Sequence, residues 1–110
     1  MGLIPILLPN KYSDQKKYIQ IIKPDCIILS GGGDPRKKDE RWANERNLIK
    51  YSITKNIPLI GICRGAQTIN LFCGGKIKKI KGHVRKFHKI VIGRNKEIKI
   101  NSFHDLGFNQ

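Results

Sequence analysis

The sequence predicts an α/β domain built on a parallel sheet. Three observations lead to it. Short apolar runs alternate with helix-like segments from Leu3 to Phe72. Two of those runs end in glycine turns, Ser30-Gly31-Gly32-Gly33 and Gly61 to Gly65. The run Ile57-Pro58-Leu59-Ile60 is continuous in hydrophobicity rather than alternating, the pattern of a strand buried on both faces.

Taken in order, Leu3 to Leu8 reads as a short buried strand closed by Pro9-Asn10. Ser13 to Ile22 reads as a helix, with Ser13 or Asp14 as N-cap and Tyr18, Ile21 and Ile22 on one face. Pro24-Asp25 breaks it, and Cys26 to Leu29 is a second strand that leads into the glycine loop. Lys37 to Trp42 reads as a polar connection. Asn44 to Lys55 is a helix with Leu48, Ile49 and Ile53 as its apolar stripe. Ile57 to Ile60 is the third strand, and Ala66 to Phe72 the following helix. After Gly74-Gly75 the texture changes. Lys76 to Lys81 alternates lysine with isoleucine, and Lys86 to Val91 and Glu97 to Ile100 read as strands joined by Gly93-Arg94-Asn95. Asn101 to Gln110 has little periodicity.

The chain carries 22 Lys+Arg against 8 Asp+Glu, a formal net charge of +14. Such a charge can signal a nucleic-acid partner. The lysines, however, are spread from Lys11 to Lys99, and no aromatic-basic RNA motif accompanies them. The charge is read as a solvated surface, which argues against a nucleic-acid partner, with Lys76 to Lys89 the segment best suited to attract an anion. Cys26, Cys63 and Cys73 have no paired spacing and no zinc-ligand spacing, so a reducing cytoplasm is expected, without disulfides or metal. The run Leu3 to Leu8 is too short to span a membrane.

Gly61-Ile62-Cys63-Arg64-Gly65 carries the chemistry. A cysteine between small residues at a strand-to-helix turn has the form of a nucleophile elbow. The helix N-terminus behind it favours thiolate. The alternative is a structural cysteine at the end of a core strand, and the pentapeptide by itself leaves both open. Ligands of open parallel sheets sit beyond the carboxyl ends of the strands. If the second and third strands are neighbours, the glycine loop faces Cys63, and the backbone N–H groups of Gly31, Gly32 and Arg64 can hold an oxyanion. The loop fits no phosphate-binding pattern, since both GxxxxGK[ST] and GxGxxG are absent.

These segments resemble class I glutamine amidotransferase-like domains, and within them the γ-glutamyl hydrolase group. Four stretches carry the likeness: Ile4 to Pro9, Ile28 to Asp34, Ile57 to Gln67 with Asn70 and Gly74-Gly75, and Asn101-Ser102-Phe103-His104. The resemblance implies a partial doubly wound, flavodoxin-like parallel sheet and a γ-glutamyl amide hydrolase. Cys63 is implied as nucleophile through a thioester, with Gly31, Gly32, Arg64, Gln67, Ser102 and His104 around the oxyanion and substrate. No cofactor is implied. The substrate implied is a small γ-glutamyl compound. His83-Val84 and His88-Lys89-Ile90 are most similar to members associated with surface-polysaccharide genes, and an intermediate of that or of polyamine metabolism is the finer expectation.

The sequence also departs from this pattern. Arg41 and Glu45 fit an Arg-Asp…Glu motif of the helix before the elbow, but Trp42 stands in the aspartate position. The family's first strand and helix are not seen before Leu3. Its His-Pro-Glu-like motif follows the Asn-Ser-Phe-His segment, and the chain ends at Gln110 without it. The expectation is therefore one truncated domain over residues 1–110, helped by a complementing chain or a second copy of itself. His104, then His83 and His88, are the candidates for a substitute base, each against a plain role at the surface or on the substrate. The rival functions are a catalytically inactive family fragment, a glutaminase subunit feeding a synthase, and a basic nucleic-acid-binding module.

Overall fold

A computed structural model describes residues 2–8, 15–35, 39–79, 81, 84–92, 96–103 and 106–108, with side chains described up to residue 81 and at Leu106. The elements run α1 (Gln15–Ile22), β1 (Ile27–Leu29), α2 (Glu40–Lys55), β2 (Leu59–Gly61), α3 (Arg64–Phe72), β3 (Ile77–Lys79), β4 (Val84–Ile92), β5 (Lys96–Phe103) and β6 (Leu106–Phe108). The domain is α/β, with β1 and β2 hydrogen-bonded in parallel through Ile27↔Leu59, Ile28↔Ile60 and Leu29↔Gly61. Two antiparallel pairs follow, β3 with β6 and β4 with β5.

Helix α1 ends where Lys23 turns left-handed (φ 49°) and its N–H reaches the Ile19 carbonyl at 3.0 Å. Pro24 then forbids continuation. The inward face of α1 is Gln15 and Ile19, both buried, with Tyr18 and Ile22 half-buried beside them; of the expected face only Ile21 is exposed. The proposed N-caps Ser13 and Asp14 lie outside the described residues.

Helix α2 begins four residues before the expected Asn44. Asp39 caps it, accepting from the Trp42 backbone N–H at 2.6 Å. It ends at Asn56 in the left-handed region (φ 54°), and the Ser52 hydroxyl donates to the Ile57 carbonyl at 2.6 Å. The buried stripe is Trp42, Glu45, Leu48, Ile49 and Ser52. Ile53, expected in that stripe, is 65% exposed.

Ile19, Ile27, Leu29, Leu48 and Ile49 form the core, joined at its margin by Leu8, Tyr51, Ile57, Leu59, Ile69 and Phe72. Ile27 and Leu29 face inward while Ile28, between them, is 56% exposed and its partner Ile60 is 49% exposed. The third strand is thus not buried on both faces: the described residues cover one side of the parallel pair.

Leu3 to Leu8 forms no strand, and Leu3, Ile4 and Leu7 are exposed. An apolar run specifies burial, but a strand also needs a neighbour for its N–H and C=O groups. Among the described residues none is hydrogen-bonded to it. Strands form at Lys86 to Val91 and Glu97 to Ile100 as expected, and within Lys76 to Lys81 the strand is Ile77–Lys79, while the turn Gly93-Arg94-Asn95 lies outside the described residues. Strand β6, in the segment without periodicity, was not expected. It is held by β3 and by the Gln67 amide, which donates to the Leu106 carbonyl at 3.0 Å. Among the described residues no helix is long and apolar enough to cross a membrane.

Candidate active site

The parallel pairing places the ends of β1 and β2 side by side, and the two glycine turns leave from those ends. The join is tight. The Ile62 N–H donates to the Leu29 carbonyl at 2.9 Å. A methyl group placed on Gly31 would lie 3.4 Å from the Cys63 Cβ and 3.9 Å from the Ile62 carbonyl oxygen. The loop after β1 therefore lies against Cys63, as the order of motifs implies.

Cys63 occupies the N-cap position of α3 with φ 52° and ψ −109°, a conformation that side-chain-bearing residues rarely adopt. Its neighbours fix that turn. The Gly65 N–H donates to the Ile62 carbonyl at 2.9 Å, and the Gln67 N–H to the Cys63 carbonyl at 3.1 Å. A methyl on Gly61 would stand 2.6 Å from the Ala66 nitrogen and 2.7 Å from Ile69 Cδ1. One on Gly65 would collide with the Leu29 carbonyl. Only glycine fits at either position. Cys63 itself is exposed and carries no disulfide, as do Cys26 (half-buried) and Cys73 (exposed). The Arg64 N–H is one of the first-turn donors that a helix cannot satisfy internally.

The Arg64 side chain points away from solvent and is 4% exposed. Its guanidinium donates to the Asp34 carbonyl and to both Asp39 carboxylate oxygens at 3.2 Å, and its Nε lies 3.5 Å from Glu45 Oε2. Glu45 is buried too. It accepts from Arg41 Nε at 2.7 Å and from the Thr68 hydroxyl at 2.9 Å. Arg41 in turn donates to the carbonyls of Ser30 (2.7 Å), Gly31 (3.1 Å) and Gly32 (3.0 Å). The Glu45 carboxylate thus links Arg41, which holds the glycine loop, to Arg64, the residue that follows Cys63.

Of the residues singled out from sequence, the structure brings Gly31 and Arg64 to Cys63, with Gly32 the next residue of that loop. Gln67 is buried on α3 with its amide committed to Leu106. Ser102 lies in β5 opposite Lys86, and His88 in β4 opposite Ile100. His83 and His104 lie outside the described residues. Sequence reasoning missed Asp39 and Thr68. An acidic residue directly before the helical run at Glu40 was the available signal for Asp39; a buried threonine on the elbow helix leaves none.

Comparison with known proteins gives a consistent result. Residues 2–108 match the family model described as glutamine amidotransferase class-I. The chain is 31% identical to a glutamine amidotransferase-like protein of Rickettsia prowazekii, over 93% of this chain and 41% of that protein. It is 34% identical to the γ-glutamyl-CDP-amidate hydrolase of Campylobacter jejuni, over 94% of this chain and 53% of the hydrolase. It is 33% identical to the carbamoyl phosphate synthase small chain of Maridesulfovibrio salexigens, over 92% of this chain and 26% of that protein. The chain thus spans between about a quarter and about half the length of these curated relatives.

Proposed function

Because this chain belongs to the class I glutamine amidotransferase family, we propose that Cys63 is the nucleophile of a γ-glutamyl amide hydrolase. One observation carries the reading: an exposed cysteine held at φ 52° at the head of α3, against a glycine loop. The similarity to a hydrolase named for a γ-glutamyl compound supports the choice of reaction. A small γ-glutamyl intermediate of surface-polysaccharide or polyamine metabolism is the finer substrate.

The chemistry is acyl transfer. Cys63 Sγ attacks the γ-carbonyl carbon, and the carbonyl oxygen takes the negative charge. Backbone N–H groups of Gly31, Gly32 and Arg64 stabilise that oxyanion in a geometry fixed before substrate arrives. The C–N bond then breaks, and the amine leaves with a proton delivered by a general acid. Water cleaves the thioester to free the glutamate carboxylate and regenerate the thiol. The proton shuttle is assigned to a histidine, with His104 the first candidate in this chain, and Ser102 completes the substrate side; the buried Gln67, whose amide holds the Leu106 carbonyl, is given no substrate contact.

A second reading is favoured by the likeness to a synthase small chain: a glutaminase subunit that delivers ammonia to a partner enzyme. The test is glutamate release from glutamine and from a panel of γ-glutamyl amides, by the chain beside its Cys63→Ala variant. Cys63-dependent release from the amides supports the hydrolase, and release from glutamine alone supports the glutaminase subunit. Equal, background release from both proteins makes the elbow a relic and the chain an inactive family member. Salt-sensitive binding of nucleic acid with no turnover would favour the basic-module alternative.

A further inference from the structure

We infer that Arg41 is a positioning residue that sets which way the peptide groups of the glycine loop face, and so aims their N–H groups at the Cys63 side. This rests on the proposed hydrolase site and deepens it.

The geometry is specific. Three consecutive carbonyls, those of Ser30, Gly31 and Gly32, accept from a single guanidinium at 2.7–3.1 Å. A trans peptide is planar, with C=O and N–H on opposite sides. Each carbonyl turned toward Arg41 therefore turns the next N–H away from it. The three N–H groups so directed belong to Gly31, Gly32 and Gly33. Gly31 is the residue against Cys63. Converging carbonyls demand an unusual backbone, and Gly32 (φ 106°) and Gly33 (φ 65°) supply it. The glycine run is thus needed to face three acceptors inward as much as to leave space.

Arg41 is itself held. Its Nε donates to Glu45 Oε1 at 2.7 Å, and the same buried carboxylate is held by Thr68 and faces Arg64, both on α3. Loop and elbow are referenced to one carboxylate, so their relative position does not depend on the loop's own side chains. A lysine could keep the charge near Glu45, but a single ammonium cannot reproduce the planar fork.

The test uses the full chain and two electrophiles, reading modification at the Cys63 peptide by mass spectrometry. A chloromethyl ketone analogue of glutamine places negative charge on its carbonyl oxygen as sulfur adds and chloride leaves. Iodoacetamide alkylates the same thiol with no oxyanion. In Arg41→Met the ketone rate should fall on the order of tenfold or more, the scale of a misplaced oxyanion donor. The iodoacetamide rate should stay within about twofold. Arg41→Lys should fall in between, and it replaces the methionine variant if α2 loses amide protection. Rates that change in parallel, or not at all, overturn the inference. If the unsubstituted chain shows no preference for the ketone, the hydrolase reading fails. Amide exchange at Gly31 to Gly33 then decides the loop claim: faster exchange in Arg41→Met with α2 still protected sustains it, and unchanged exchange overturns it.

Discussion

Gly65 lies flat against Leu29. A methyl group on Gly65 would strike the Leu29 carbonyl oxygen and sit 2.7 Å from the Leu29 Cβ, so the helix after the elbow approaches the end of β1 backbone to backbone. The same carbonyl accepts from the Ile62 N–H at 2.9 Å. This contact sets the separation between the glycine loop and the cysteine.

Gly65→Ala should therefore destabilise the chain, at the upper end of the range for overpacked sites, about 3 kcal/mol. For a domain of this size that lowers the melting temperature by roughly 10–20 °C. A thermal scan with an unshifted midpoint would show that the contact relaxes without strain.

Cys63 holds a backbone conformation that glycine adopts freely. Its side chain is exposed, so truncation loses little packing. Cys63→Gly should be more stable than Cys63→Ala by about 1 kcal/mol, the smaller end of the cost of such strain. Both should lose all selective labelling at this position. Equal urea midpoints for the two variants would mean that the elbow is unstrained.

Glu45→Gln removes the charge facing Arg41 and Arg64. Among the described residues the buried Arg64 then keeps only Asp39 as an ionic partner. The expected loss is on the order of 3 kcal/mol, typical of an uncompensated buried charge. Arg64→Met combined with Glu45→Gln should cost at least about 1 kcal/mol less than the sum of the single changes. Additive urea denaturation results would separate the two residues.

Asp39 does two jobs at the start of α2. Asp39→Asn keeps an oxygen for the Trp42 N–H and loses the charge toward Arg64, on a side chain that solvent reaches. Asp39→Ala loses both. We expect Asn to stay within about 1 kcal/mol of the parent and Ala to lose about 1–2 kcal/mol more than Asn. The reverse order in chemical denaturation would mean that the ion pair, rather than the cap, dominates.

The alternation of strand and helix from β1 to α3, the parallel pairing and the meeting of the two glycine turns beyond the strand ends were legible because each depends on local signals: apolar runs, prolines and glycine turns. In α2 the stripe was legible at Leu48 and Ile49 but not at its polar positions. Glu45 and Ser52 sit in its buried stripe because each finds a polar partner, Glu45 in two arginines and Thr68, Ser52 in the Ile57 carbonyl. Composition reads such residues as facing water, and so it assigned their place to Ile53. Leu3 to Leu8 shows the converse error, since an apolar run does not reveal whether a neighbouring strand is there to pair with it. Strand β6 has three residues and exists through its partners, β3 and the Gln67 amide, so no local pattern announces it. At the site, the cysteine and its glycines were visible from spacing. The arginine–glutamate–arginine link was only half visible, because an i, i+4 pair on a helix usually lies on the surface.

Arg41 and Arg64 grip the loop from Ser30 to Asp34 through main-chain carbonyls, with a further 3.5 Å approach of Arg41 to the Ser30 hydroxyl. Such a grip is indifferent to what most of the gripped residues carry. Substitution at Asp34 can therefore change the side chain that the loop presents without loosening the grip on its main chain. A scaffold of this kind separates the machinery of a reaction from the choice of molecule it acts on, and lets the second evolve while the first stays fixed.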